Sequence, residues 1–205
     1  MNHYDALLID VGTGNLHSVH NALKNLGAAI RVTSDPQDLQ QGGRIVLPGV
    51  GAFSSFMEGM HQRGLTEALL QSIQRGDPLL GICVGMQALF DFSEEMGQHA
   101  GLGLLPGRVV RFVETPELKV PQTGWNELLV VRPCPLFHDL PPHSYAYFNH
   151  SYYCEPQNPE DTVILTDYGL QFASAVQRDN VFGVQFHPEK SQQVGQKLLA
   201  NFLSV

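Results

Sequence analysis

The sequence predicts an α/β fold: an open, mostly parallel sheet flanked by helices, with an antiparallel extension in the C-terminal half. Three observations carry this. Short apolar runs alternate with helical patterns through the first half, the mark of βαβ units and right-handed crossovers. The joints between them are turns rich in Gly and Pro. The second half is a series of strand-like runs with turn-rich connections, closed by one amphipathic helix.

Each element follows from its own residues. Ala6–Ile9 is an apolar run ended by Gly12, Thr13 and Gly14, a strand and its turn. Asn15 precedes Leu16, Val19, Leu23 and Leu26 at helical spacing, and Gly27 stops that helix. Residues 29–32 form a second strand and 44–47 a third, ended by Pro48 and Gly49. Leu65, Leu69, Leu70 and Ile73 share one helix face, closed by Gly76. A fourth strand is expected at 78–82 and a helix after it at 84–92. Further strands are expected at 109–113, 127–131, 145–149, 163–165, 172–176 and 181–186. A last helix at 194–202 places Leu198, Leu199 and Phe202 on one side. No repeat or linker-like tract divides the chain, so one domain over 1–205 is expected.

Composition removes several function classes. Twelve Lys and Arg against twenty Asp and Glu leave a formal net charge of −8. That balance argues against nucleic acid or an anionic membrane as the main partner, since both reward clustered cations. No apolar run is long enough to span a bilayer. No basic-then-apolar leader precedes the first strand, so a cytoplasmic protein is expected. Cys83, Cys134 and Cys154 are too few and too scattered for a disulfide framework, which fits a reducing compartment. There are nine His, but no HxH, HExxH or CxxC spacing, and neither a metal nor a cofactor is expected.

The chemistry concentrates in two segments. Leu79-Leu80-Gly81-Ile82-Cys83-Val84-Gly85-Met86-Gln87 runs from an apolar strand through Gly-x-Cys-x-Gly into a helix, the cysteine version of a nucleophile elbow. Such a turn lifts the side chain out of the sheet and sets it at a helix N-terminus, where the dipole favours a thiolate. The Val84 N–H would then face a developing oxyanion. A buried structural cysteine at a tight turn would read the same way. Downstream stands Val184-Gln185-Phe186-His187-Pro188-Glu189-Lys190. Pro188 pushes His187 into extended backbone, where residues i and i+2 share a face. Glu189 can therefore orient the imidazole and leave its other nitrogen to a thiol, as thiol acyl transfer needs. A surface His and Glu at a strand end is the plainer alternative. Between the two segments in function stands Pro48-Gly49-Val50-Gly51. Its flanking glycines make the Val50 peptide easy to reorient, so its N–H can be offered to a carbonyl oxygen or withheld; a simple tight turn also fits.

Taken together these segments resemble the triad (class I) glutamine amidotransferases. Gly81-Ile82-Cys83-Val84-Gly85-Met86-Gln87 and Phe186-His187-Pro188-Glu189 match the nucleophile and His-Glu signatures of that superfamily. Within it, Gly14-Asn15-Leu16, Pro48-Gly49-Val50-Gly51, Gly124-Trp125-Asn126 and Gln185-Phe186-His187-Pro188-Glu189-Lys190-Ser191, and also Tyr147-Phe148-Asn149-His150-Ser151-Tyr152, resemble the family of glutaminase subunits of imidazole glycerol phosphate synthases. The resemblance spans essentially the whole chain and implies a flavodoxin-like sheet. It implies that Cys83 attacks the side-chain amide of L-glutamine, His187 moves the protons and Glu189 orients His187. It places Val84, Val50 and Gly51 at the oxyanion, and Gln87, Glu95, Ser151 and Tyr152 around the glutamine. It further implies a heterodimer with a (βα)8 cyclase subunit, contacted by Asn15, Trp125, Asn126 and Lys190, which receives ammonia along a shielded route. Amidotransferases of pyridoxal phosphate, anthranilate or nucleotide synthesis are the alternative, and the 48–51 turn argues against them. One departure stands out: the family usually has Pro-His-Met/Ile before Gly-Trp-Asn, where this chain has Pro121-Gln122-Thr123.

Overall fold

A computed structural model describes residues 4–13, 15–116 and 118–205; Gly14, one of the turn glycines read from the sequence, lies outside the described residues. The elements in chain order are β1 (Ala6–Ile9), α1 (Leu16–Asn25), β2 (Ile30–Thr33), α2 (Pro36–Leu39), β3 (Arg44–Gly49), α3 (Phe53–Gln62), α4 (Leu65–Arg75), β4 (Leu79–Cys83) and α5 (Val84–Gln87). They continue with β5 (Phe90–Ser93), β6 (His99–Ala100), β7 (Leu105–Arg111), β8 (Gln122–Glu127), β9 (Leu129–Val130), β10 (Tyr145–His150), β11 (Tyr152–Pro156), β12 (Thr162–Asp167), β13 (Gln171–Arg178), β14 (Val181–Val184) and α6 (Gln192–Phe202).

Strands β1, β4 and β14 are buried at every position, and only Arg44 of β3 is not. Continuous apolar runs of this kind belong to parallel strands covered on both faces. They pair as β2-β1-β3-β4-β14, all parallel, the strand order of the flavodoxin-like arrangement. From β14 the sheet continues through β13, β11, β7, β5 and β6, with β12 and β9 branching from β13. This extension is antiparallel apart from the β5–β7 pair. A separate antiparallel ribbon, β8 with β10, stands beside it.

Register places the chemistry. Ile82 lies opposite Val184, so β4 and β14 end side by side on one sheet edge. Gly49 of β3 lies opposite Cys83, which brings residues 50 and 51 to the same edge. Ligands of open α/β sheets bind outside the carboxyl ends of the strands, and these three ends meet there.

Several expected elements differ. The helix after β4 is one turn, not 84–92. Ala88, Leu89 and Phe90 are buried all round, a pattern that fits a helix or a buried strand equally. Long-range pairing decides it: Phe90 pairs with Leu105, and the Leu89 carbonyl accepts from the Leu104 and Leu105 N–H groups. The expected strand at 127–131 is divided, because Glu127 ends β8 against β10 whereas β9 joins β12. Strand β7 starts ahead of 109, and β14 ends at Val184, leaving residues 185–187 outside the sheet. Helix α3 was not expected, although Phe53, Phe56, Met57 and Met60 bury one face of it at helical spacing.

The elbow is close-packed. A Cβ on Gly85 would overlap the Leu47 carbonyl oxygen, and one on Gly81 would lie 2.6 Å from the Gly85 oxygen. Both positions therefore admit only glycine at this backbone spacing. Gly85→Ala is expected to destabilise the chain by about 3 kcal/mol, since overpacking against fixed backbone is at the costly end of its range. Denaturant unfolding of the variant measures this, and an unchanged midpoint would show that the turn can open.

Candidate active site

Cys83 ends β4 in a conformation that side chains avoid, with φ 55° and ψ −113°. That turn aims its thiol into a cavity of about 300 Å³ whose walls include Val50, Gly51, Val84, Gln87 and His187. The side chain is 4% exposed. Helix α5 has a single turn, so its dipole is slight and the helix-terminus argument for the thiolate loses most of its weight. The charge partner is instead His187.

His187 leaves β14 in extended backbone, φ −98° and ψ 96°, and Pro188–Lys190 turn at once. Three hydrogen bonds fasten this segment. The His187 N–H donates to the Tyr147 carbonyl at 2.9 Å, and the Ser191 hydroxyl donates to the His187 carbonyl at 2.7 Å. The Tyr147 N–H donates to the Ser191 oxygen at 3.0 Å. The imidazole Nδ1 lies 2.9 Å from Glu189 Oε1. A carboxylate only accepts, so Nδ1 carries the proton and Nε2 is turned to the thiol. Burial pulls the His187 pKa down, but the hydrogen bonds to Cys83 and Glu189, and their charges, outweigh it and push the pKa up to about 10. The Glu189 side chain is 1% exposed, and Oε2 accepts no hydrogen bond among the described residues. The imidazolium is thus the group that compensates a nearly dry carboxylate.

The remaining expected residues divide cleanly. Gln87, Glu95, Ser151, Tyr152 and Lys190 all border the cavity. Gln87 Nε2 donates to the Tyr152 carbonyl at 3.0 Å. Glu95 Oε2 accepts from the Phe53 N–H at 2.6 Å, which caps α3 directly after the 50–51 turn. The Lys190 ammonium sits 5.6 Å above the Tyr147 ring. Asn15, Trp125 and Asn126 are outside the cavity. Asn15 precedes α1 without capping it through its side chain, and Asn126 bonds Gln122 and the Asp167 carbonyl. Trp125 is 46% exposed and packs edge-on against Tyr147. A roomier cleft of about 560 Å³ beside the end of α6 is lined by Cys134 and His138, but the His138 ring and its partner Asp139 are largely exposed and burial pushes the Cys134 thiol up.

Two residues at the site have no part in the sequence reading beyond their place in a motif. Gln185, 0% exposed, touches the thiol. His150 borders the cavity and donates from Nδ1 to the Tyr152 carbonyl at 2.7 Å. Neither spacing nor residue type marks them, because both act from buried positions across the sheet.

A thiol, an imidazole and a carboxylate aligned at an oxyanion-capable turn can form and break an acyl thioester. The chain belongs to the class I glutamine amidotransferase family, whose model matches residues 7–205. It is 47% identical to imidazole glycerol phosphate synthase subunit HisH of Syntrophotalea carbinolica, covering 96% of this chain and 98% of that one. To the HisH subunit of Moorella thermoacetica it is 49% identical, covering 95% and 92%. The structure of PurLQS from Thermotoga maritima shares the fold at TM-score 0.70 and 18% identity, covering 97% of each chain.

His150 makes a stability prediction. Burial among Phe112, Phe148 and Phe172 pushes its pKa down to about 4; the Tyr152 carbonyl opposes this and His187 adds to it. Its folded value lies below the ordinary 6.5, so the unfolded chain takes the proton first as pH falls. The stability carried by the neutral ring is complete above pH 6.5 and is lost toward pH 4, about 3 kcal/mol in all. His150→Phe should flatten the fall in Tm between those two pH values; a slope equal to that of the parent chain would refute it.

Proposed function

We propose that this chain is the glutaminase subunit of an imidazole glycerol phosphate synthase, acting in histidine biosynthesis. The observation that carries this is the meeting of Cys83 and the Glu189-paired His187, at and just beyond the ends of two neighbouring parallel strands, in a cavity also bordered by Val50, Gly51 and Val84. Identity near one half to HisH subunits over almost the full chain supports the choice of family member.

The reaction follows from the groups present. Cys83 Sγ attacks the side-chain carbonyl carbon of L-glutamine once its proton has passed to His187 Nε2. The tetrahedral oxyanion is met by the Val84 N–H, which no earlier helical turn uses, and by the N–H of the Val50–Gly51 peptide when that turn presents it. His187 returns the proton to the departing nitrogen, the C–N bond breaks and ammonia leaves a γ-glutamyl thioester. Water, deprotonated by His187, adds to the thioester; the C–S bond breaks and glutamate departs. Glu189 holds the ring and its charge throughout. Gln87, Glu95, Ser151 and Tyr152 hold the amino-acid end of the substrate.

Ammonia is a nucleophile only while unprotonated, so release toward a second active site needs a shielded route. We assign that site to a (βα)8 cyclase subunit in a cytoplasmic heterodimer, docked over Asn15, Trp125, Asn126 and Lys190. Half-exposed Trp125 and Tyr145, which line one shallow cleft, support this surface, and the three free cysteines suit a reducing compartment. Among the described residues no helix is long and apolar enough to cross a membrane.

Cys83→Ala should abolish glutamine-dependent product formation by the complex and leave the ammonia-dependent reaction intact. Glu189→Gln should lower kcat with glutamine by about 100-fold or more, as loss of the orienting charge does in other triads. Steady-state assays with each nitrogen donor decide both; full glutamine turnover by Cys83→Ala would end the proposal. The chain alone should turn over slowly and accelerate on adding the cyclase and its ligand.

A further inference from the structure

Beside the imidazole, the thiol of Cys83 has a second polar neighbour, and a chain of hydrogen bonds fixes which atom of it faces the sulfur. The Tyr152 carbonyl oxygen can only accept. It takes one bond from His150 Nδ1 at 2.7 Å and one from Gln87 Nε2 at 3.0 Å, which uses both lone pairs. The Gln87 amide is therefore oriented with its NH2 toward Tyr152, and its remaining N–H lies 3.1 Å from Gln185 Oε1. Turning the Gln185 amide over would set two NH2 groups against each other. Gln185 Nε2 is thus directed at Cys83 Sγ, 3.7 Å away. Gln185 is fully buried, and its backbone N–H is bound to the Ser174 carbonyl at 2.9 Å, so neither water nor main-chain slack competes for that position.

We propose that Gln185 is a catalytic residue of this site, donating its side-chain N–H to the sulfur of Cys83 and stabilising the thiolate before attack and after thioester hydrolysis. A neutral donor suits this place. It strengthens with charge on sulfur and weakens as sulfur becomes a thioester, without holding a proton that could quench ammonia. His187 supplies the mobile proton; Gln185 supplies a fixed dipole. The orientation comes from a backbone carbonyl through Gln87, so Gln87 acts both on the substrate and, through Gln185, as a positioning residue for the nucleophile. The other titratable groups near Cys83, among the described residues, are His187 with its Glu189 and Lys190 beyond β14, His150 at the end of β10, Glu95 beyond β5, and Tyr152 and Cys154 on β11.

This inference rests on Cys83 as the nucleophile, and the test separates the two. The chain in complex with its cyclase is treated with iodoacetamide across a pH series, and labelling of Cys83 is followed by mass spectrometry. Gln185→Met keeps the volume and removes the donor; its alkylation midpoint should move up by about one pH unit, a tenfold loss of thiolate at fixed pH. With glutamine kcat should fall about tenfold with KM little changed, since the lost bond is made to the nucleophile rather than to the substrate. The ammonia-dependent reaction should be unaffected. Gln185→Glu keeps the bond from Gln87 but presents oxygen to sulfur, and should react more slowly still. A parent-like alkylation profile in either folded variant overturns the role of Gln185. An unreactive Cys83 in the parent chain overturns the nucleophile itself. Should neither variant fold, the side-chain NH2 resonances of Gln185 in the 15N-labelled parent decide: they should move as Cys83 titrates, and stationary resonances refute the bond.

Discussion

Everything at the site depends on one backbone turn. Cys83 occupies a left-handed φ that costs about 1–3 kcal/mol for a residue with a side chain. The surrounding structure holds it there because β4 is clamped between β3 and β14, and because Gly81 and Gly85 let the next turn fold back onto the β3 backbone. Were that turn to relax, the thiol would rotate away from the cavity and lose the imidazole and Gln185 at once. The neighbouring glycines are thus part of the chemistry as much as of the packing.

Two histidines border the same cavity and are driven in opposite directions. His187 stands between a buried carboxylate and a thiol, and its charged form is favoured strongly enough to overcome burial. His150 has aromatic rings around it and, among the described residues, a carbonyl as its hydrogen-bond partner, so burial wins and the ring stays neutral. The difference is the partner and not the depth: an acceptor that carries charge repays desolvation of the imidazolium, whereas a carbonyl dipole does not. One ring can then shuttle protons while the other stays a neutral, fixed donor that saturates the Tyr152 carbonyl.

The parallel half of the fold was legible because each of its strands must be apolar throughout to be covered on both sides, and such runs ended by glycine are easy to read. The antiparallel half was less so. Its strands are short, half-exposed and exchanged between two sheets, as at Glu127, where β8 and β9 part. The one-turn helix at Val84–Gln87 was overestimated for a related reason: Ala88, Leu89 and Phe90 are apolar in every direction, and only pairing with β7 tells helix from strand.

For the site, residue type and local geometry named a sulfur, a base and its carboxylate, since Gly-x-Cys-x-Gly and His-Pro-Glu each act within a few residues of chain. What joins them is the parallel pairing of β4 with β14, a contact about one hundred residues apart in sequence, in keeping with the nonlocal character of parallel sheets. Gln185 and His150 stand in recognisable segments, but their contacts were not legible there because these are hydrogen bonds between distant stretches of chain, through a Tyr152 carbonyl that every residue type possesses. Sequence alone determined which groups could react; tertiary structure decided which of them touch, because a backbone acceptor has no letter in the sequence and acquires a role only when folding sets particular donors against it.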